Sequence, residues 1–379
     1  MNNALMLKET LQAWQGLMPQ HAMLSKFQIA PTPFDVIYEK ANIRLVRYHT
    51  SKTTRESTSH ESHLSAIHQT DNRAQSSTDI QIDTQNQEPI LIIPSLINRH
   101  YVLDLLPNKS LIEYLVNQGQ AVYMIHWLPP EPEAQYITKE QFFQFHLTKV
   151  IEQVLADSKK EQLHLWGHCL GGTIACAMAA LIPQAIRSLT LITSPIDFTE
   201  MGKLGLWAKT PEFDLKTLLD SYGNMPWPLL QSSFQFIKPS LWISKLRTLS
   251  ERYYDQNFLT NFIALEIWSA DNLDFPGQLY NMIIQDFYRN NKLIHGRFQV
   301  GTQVLSLNDI QCPILSLMSS EDNIVPPHSG LKKEHLTALH PFEEKIINGG
   351  HIGAVLGSKA QKNLWPEMVA WIRKSEKLN

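Results

Sequence analysis

Cysteine is scarce in this chain: Cys169, Cys176 and Cys312 are the only three in 379 residues. Their number and spacing exclude a disulfide framework and a cysteine-based zinc site, and reduced thiols suit a cytoplasmic protein. Long apolar runs are also lacking. None reaches the ~18 to 20 residues that cross a bilayer, so no transmembrane segment is expected. The start, Met1-Asn2-Asn3, has no basic region leading into an apolar stretch, so no secretory signal is expected. An excess of one charge is missing too. Lys and Arg number 33 against 36 Asp and Glu, a formal charge of −3, and no basic stripe carries aromatics. This balance argues against a nucleic-acid partner. No internal repeat is visible. His60, Glu61 and His63 have no apolar shell to fix them, so no metal is expected, and nothing else in the sequence calls for a cofactor.

What is present is an alternation of strand and helix patterns. The first 18 residues place Leu7, Leu11, Trp14 and Met18 at helical spacing, and residues 1–30 read as an N-terminal helical segment. Val36 to Tyr48 reads as two short strands with a turn at Ala41-Asn42. Residues 51–88 shift to Ser, Thr, Gln, Asn, Asp and His, the composition of a polar, mobile insert. A βαβ rhythm follows: strands at Pro89 to Pro94, Ala121 to Trp127 and Leu163 to Trp166, with helices at Ser110 to Gln118 and Lys139 to Asp157. Such alternation implies a mainly parallel sheet with right-handed crossovers. Ser188 to Thr193 continues the sheet. Residues 195–300 break the rhythm and are rich in aromatics, among them Trp207, Trp227, Trp242 and Trp268, as expected of a helical cap subdomain. Residues 301–379 resume it, with strands at Pro313 to Met318 and Lys345 to Ile347 and a last helix at Trp365 to Ile372. Residues 31–194 and 301–379 are thus the two parts of one α/β core.

Between the strand Leu163 to Trp166 and the Ala-rich run Thr173 to Ile182 stands Gly167-His168-Cys169-Leu170-Gly171-Gly172. A nucleophile elbow has this form: a sharp strand-to-helix turn exposes the reactive atom, and the glycines Gly167, Gly171 and Gly172 let strand and helix pass closely. Here the exposed atom is sulfur. A thiolate attacking a thioester yields another thioester, so the acyl group stays activated for transfer; hydrolysis is the competing outcome. In α/β-hydrolase folds the acid and the histidine follow the nucleophile in chain order. Asp322, in Ser319-Ser320-Glu321-Asp322-Asn323, and His351, in Gly349-Gly350-His351-Ile352-Gly353, meet that order. His351 is expected to take the proton from Cys169, with Asp322 fixing its tautomer. Glu321 is the rival acid, and Asp322 has the alternative of capping the helix near Ser329. The oxyanion hole is expected from the backbone N–H of Leu170 and of Ile97, with Leu96 as the alternative. His168 is expected to pack or hydrogen-bond locally, and Cys176, Cys312 and Asp197 to be structural.

With those residues in place, the chain resembles the polyhydroxyalkanoate synthases, most of all the short catalytic subunit of class III. The likeness runs from about Ala30 to the C-terminus, the polar insert excepted. It is carried by Ile92-Ile93-Pro94, Ile97 to Leu105, Gly119 to Trp127, Tyr222 to Pro226, Asp286 to Leu293 and Gly349 to Gly353. The resemblance implies an α/β-hydrolase fold with Cys169, Asp322 and His351 as the triad. It also implies polymerisation of (R)-3-hydroxyacyl-CoA into polyester with release of CoA, a homodimer, a second synthase subunit and association with polyester granules. Three features depart from the family pattern: Asn323 where a histidine is usual, His168 before the nucleophile, and the 51–88 insert. A cysteine-dependent thioesterase or ester hydrolase on the same fold is the rival, and a non-catalytic granule-associated or scaffolding protein is a second.

Overall fold

The computed structural model describes residues 27–50, 87–237, 240–337 and 340–377; the segment expected to form an N-terminal helix and almost all of the polar insert lie outside them. Eight strands form one sheet in the order β1-β2-β4-β3-β5-β6-β9-β10. They are β1 (Phe34–Lys40), β2 (Ile43–Tyr48), β3 (Ile90–Ile93), β4 (Val122–Trp127), β5 (Leu163–His168), β6 (Ile186–Ile192), β9 (Ile314–Ser319) and β10 (Phe342–Ile347); β7 (Phe298–Val300) and β8 (Gln303–Leu305) make a separate hairpin. From β4 to β10 every pairing is parallel, and the β1–β2 hairpin joins antiparallel to β4. Ala41, at the hairpin turn, takes φ +54°.

The central strands are short apolar runs because both faces are covered. Alternate residues feed two cores: Leu91, Ile93, Tyr123 and Leu165 pack with one, while Ile90, Ile92, Met124 and Trp166 pack with the other. Each fully buried Leu or Ile contributes roughly 1.5–3 kcal/mol. The helix Leu170–Leu181 is buried along its whole length, and its small residues let it lie against the sheet. Gly171 shows how close this is: a Cβ there would collide with the carbonyl oxygens of Ile93 and Pro94 at the end of β3. That contact sets the elbow beside the loop leaving β3. A Cβ on Gly167 would strike Gly172, and one on Gly172 would strike Ser194.

Between β6 and β7 the chain leaves the sheet for a run of helices, including Gly202–Lys209, Trp227–Ile237, Gln256–Ala270 and Gly277–Met282. Residues from three of these helices line the cleft above Cys169. Asp214 and Asp255 cap two helices of the run by accepting from Thr217 N and Phe258 N. Of the four tryptophans in this stretch, Trp207 and Trp268 line clefts that reach Cys169, whereas Trp227 is partly solvent-exposed at the head of its helix and lines neither.

Candidate active site

Cys169 sits between β5 and the helix Leu170–Leu181 with φ +54° and ψ −129°, a strained backbone for a residue with a side chain. Two hydrogen bonds hold it there: its N–H donates to Ile192 O at 2.9 Å, and its carbonyl accepts from Gly172 N at 2.8 Å. Strain held by the surrounding sheet is what an elbow needs to push a short side chain outward.

Asp322 and His351 come from loops after β9 and β10. The Asp322 carboxylate is buried and uses both oxygens. Oδ1 accepts from the N–H of Ile324 and Val325 at 2.8 and 2.9 Å, and Oδ2 faces His351 Nδ1 at 2.5 Å. Asp322 therefore caps the turn that follows it and orients the imidazole. The rival acid, Glu321, is exposed. Asn323 is also exposed and donates to Glu321 O at 3.1 Å, so it supports the turn without touching the carboxylate.

The other side of the His351 ring meets Cys169. Burial alone would strip the imidazole of its proton. Against it act the charge of Cys169, hydrogen bonds to Asp322 and Cys169, and the Asp322 charge, and together they raise the His351 pKa to about 10. Cys169→Ala removes the largest of the raising contributions, so the imidazole should titrate at lower pH in that variant. Following the ring by NMR from pH 5 to 11 checks this, and an unmoved midpoint would show that Asp322 alone holds the proton.

His168 is fully packed beside this pair, its ring centroid 5.8 Å from that of His351. Burial, helped by the charge of His351, lowers its pKa to about 3, so it is a neutral ring and no rival base at physiological pH. Cys176 and Cys312 are buried thiols whose pKa values burial pushes up, that of Cys312 to about 12; neither is a nucleophile near neutrality. Asp197 accepts from Thr199 N and Asn291 Nδ2, a structural junction between the sheet and the helices that follow it.

The N–H of Leu170 heads its helix, where no intrahelical acceptor exists. The N–H of Ile97 lies in the loop after β3 and makes a long bond, 3.3 Å, to Ser95 Oγ. An oxyanion received there would have to displace that bond.

Two clefts meet at Cys169. One, about 690 Å³ including its open mouth, is apolar and walled by Met201, Leu230, Phe275, Tyr280 and Tyr288. Burial pushes up the pKa of both tyrosines, with the charge of Cys169 adding to the effect at Tyr288, so their phenols stay neutral. The other, about 750 Å³, is more polar, with Asn98, Arg99, Gln231 and Ser269 on its wall beside His351. Sequence reasoning missed Tyr280 and Gln231 as lining residues; Arg99 and Tyr288 lie in the Ile97 to Leu105 and Asp286 to Leu293 segments already singled out.

The family model for the alpha/beta hydrolase fold matches residues 88–358. The chain is 32% identical over 286 residues to the poly(3-hydroxyalkanoate) polymerase subunit PhaC of Allochromatium vinosum, covering 75% of this chain and 80% of that protein. It belongs to the poly(3-hydroxyalkanoate) polymerase family. The polymerase subunit PhaC of Synechocystis is 31% identical over 291 residues, 75% of this chain and 77% of that protein. That of Haloferax mediterranei is 29% identical over 353 residues, 92% of this chain but only 65% of the relative's length. The sheet order and the approach of Cys169, His351 and Asp322 describe an α/β-hydrolase core with a cysteine at its strand-to-helix turn.

Proposed function

We propose that the chain polymerises (R)-3-hydroxyacyl-CoA into polyhydroxyalkanoate through an acyl-Cys169 intermediate. The observation that carries this reading is a cysteine elbow flanked by a buried His351–Asp322 pair, opening on an apolar cleft, in a member of the polymerase family. The Cys169 thiolate adds to the thioester carbon, and the N–H groups of Leu170 and Ile97 receive the developing oxyanion. The C–S bond to CoA then breaks, and the imidazolium of His351 gives its proton to the leaving CoA sulfur. In the transfer half, His351 accepts the proton of the hydroxyl on the chain end, the oxygen adds to the acyl-cysteine carbon, and the Cys169 thiolate departs. Oxygen ester replaces thioester, so each cycle runs downhill without a cofactor or a metal.

Water is the competing acceptor. The helical insertion, residues 195–300, acts as a cap whose aromatic and aliphatic wall excludes it and houses the growing polyester. The same cap leaves Leu206, Phe236, Ile243 and Tyr254 exposed, which favours a working form docked on a second copy, a second synthase subunit or the granule surface. Among the described residues no helix is long and apolar enough to cross a membrane. An acyl-CoA substrate and a reduced thiol fit work in the cytoplasm.

The test is incubation with (R)-3-hydroxybutyryl-CoA, alone and with a candidate partner subunit, reading thiol release and acyl product against Cys169→Ala. Insoluble polyester formed with thiol release, and lost in the variant, supports the polymerase. Free hydroxy acid alone would establish a thioesterase instead, and silence with and without partner would favour a non-catalytic role.

A further inference from the structure

We propose that Asp271 is a positioning residue that couples seating of the cap to assembly of the oxyanion hole. The inference rests on Cys169 being the acyl acceptor and deepens that reading. The loop after β3, from Ser95 to Tyr101, carries Ile97, yet few of the bonds that hold it are its own. The short stretch Trp268 to Asn272, where the cap helix Gln256–Ala270 ends, grips it instead. Arg99 Nε donates to Asp271 Oδ1 at 2.9 Å, and Tyr101 Oη donates to Asp271 Oδ2 at 2.8 Å. Trp268 Nε1 donates to the carbonyl of Arg99 at 2.8 Å. Asn98 pairs with Asn272 through a backbone bridge and a bond from its Nδ2 to Asn272 Oδ1 at 2.5 Å. Asn272 Nδ2 in turn reaches Ser269 O at 2.8 Å and, at 3.3 Å, Gln231 Oε1 on another cap helix.

Residues 98, 99 and 101 are thus tied to the cap, two of them through one carboxylate. Asp271 is only 5% exposed and Tyr101 3%, so the carboxylate is shielded from water, and its charge-assisted bonds are strong although the Arg99 side chain is partly exposed. The residue next to this grip, Ile97, holds its N–H on Ser95 with a long bond that an oxyanion must outcompete. A donor works only within a few tenths of an ångström of its place. When the cap lifts, Asp271 leaves with it, and the loop loses the partners that fix Ile97. Acylation is then confined to the closed state, in which water is excluded.

Two reactions of the same sulfur separate this role from a general structural one. Acylation by p-nitrophenyl butyrate passes through an oxyanion. Alkylation by iodoacetamide displaces iodide at a tetrahedral carbon and forms none. In Asp271→Ala, single-turnover acylation of the full chain should fall by ~10²-fold, with iodoacetamide alkylation at Cys169 unchanged. Tyr101→Phe removes one clamp bond without uncovering a charge and should give a smaller loss of the same pattern, which keeps the test open if the alanine variant does not fold. Equal losses in both reactions, or full acylation in both variants, would overturn the proposal. A wild-type chain acylated by the p-nitrophenyl ester but not by (R)-3-hydroxybutyryl-CoA would defeat the polymerase reading while leaving the clamp standing.

Discussion

Replacing His351 with alanine should cut CoA release from (R)-3-hydroxybutyryl-CoA by at least ~10⁴-fold while the sheet stays folded. Both halves of the proposed cycle route a proton through this one ring, first to the CoA sulfur and then from the chain-end hydroxyl. Neither titratable neighbour can stand in: His168 is neutral with a pKa of about 3, and Tyr288 is a phenol whose ionisation burial opposes. The folded sheet should survive because His351 lies in a loop after β10, outside both cores. Rapid-quench measurement of acyl-Cys169, with circular dichroism to follow the fold, checks both parts; acyl-enzyme forming at the wild-type rate would remove His351 from the mechanism. The same residue bears on stability. Its folded pKa of about 10 exceeds the ordinary 6.5, so its contribution is fully present below pH 6.5 and is lost as pH rises through 10. The His351→Ala variant should therefore show a flatter decline of stability between those limits than the parent chain.

How much of this could be read from the sequence depends on how local each signal is. The elbow is six consecutive residues whose glycines answer a contact within the same strand–turn–helix unit, so Cys169 was legible at once. Asp322 and His351 follow recognisable strands in the required order, and the strand alternation that yields the sheet needs only short windows. The clamp on the oxyanion loop was not legible. Arg99 and Asp271 are 172 positions apart, and each by itself reads as an ordinary charged residue near an aromatic. The run of helices between β6 and β7 hides such pairs because its helices answer to each other and to the loops below rather than to a sheet with a fixed period. Trp227 shows the converse: it belongs to the aromatic-rich stretch expected to form a cap, but its place at the head of a helix leaves it partly in solvent. Ile97 lies in the loop after β3, as its place in the sequence implies, while the bond from its N–H to Ser95 Oγ depends on a local turn that composition does not reveal.

Asp322→Asn should lower CoA release by ~10³- to 10⁴-fold with a smaller drop in melting temperature than Asp322→Ala. The two oxygens of Asp322 do different work, and asparagine separates them. Its carbonyl oxygen can keep the Oδ1 position and go on accepting from Ile324 and Val325, so the turn survives. Its amide nitrogen then occupies the Oδ2 position against His351 Nδ1, where a donor meets a donor unless Nδ1 gives up its proton. The ring is driven to the tautomer that carries hydrogen on Nε2, which leaves no lone pair to receive the proton of the chain-end hydroxyl. Loss of the carboxylate charge also lowers the His351 pKa, because that charge is among the groups that raise it. Asp322→Ala differs in that it deletes both functions and should add a stability loss of roughly 1–3 kcal/mol for the two uncapped amides. Turnover and thermal melting of the two variants side by side therefore separate catalysis from capping. Were Asp322→Asn as active as the parent, Asp322 would be a turn cap and nothing more, and orientation of His351 would have to come from its glycine-flanked loop and from Cys169 alone.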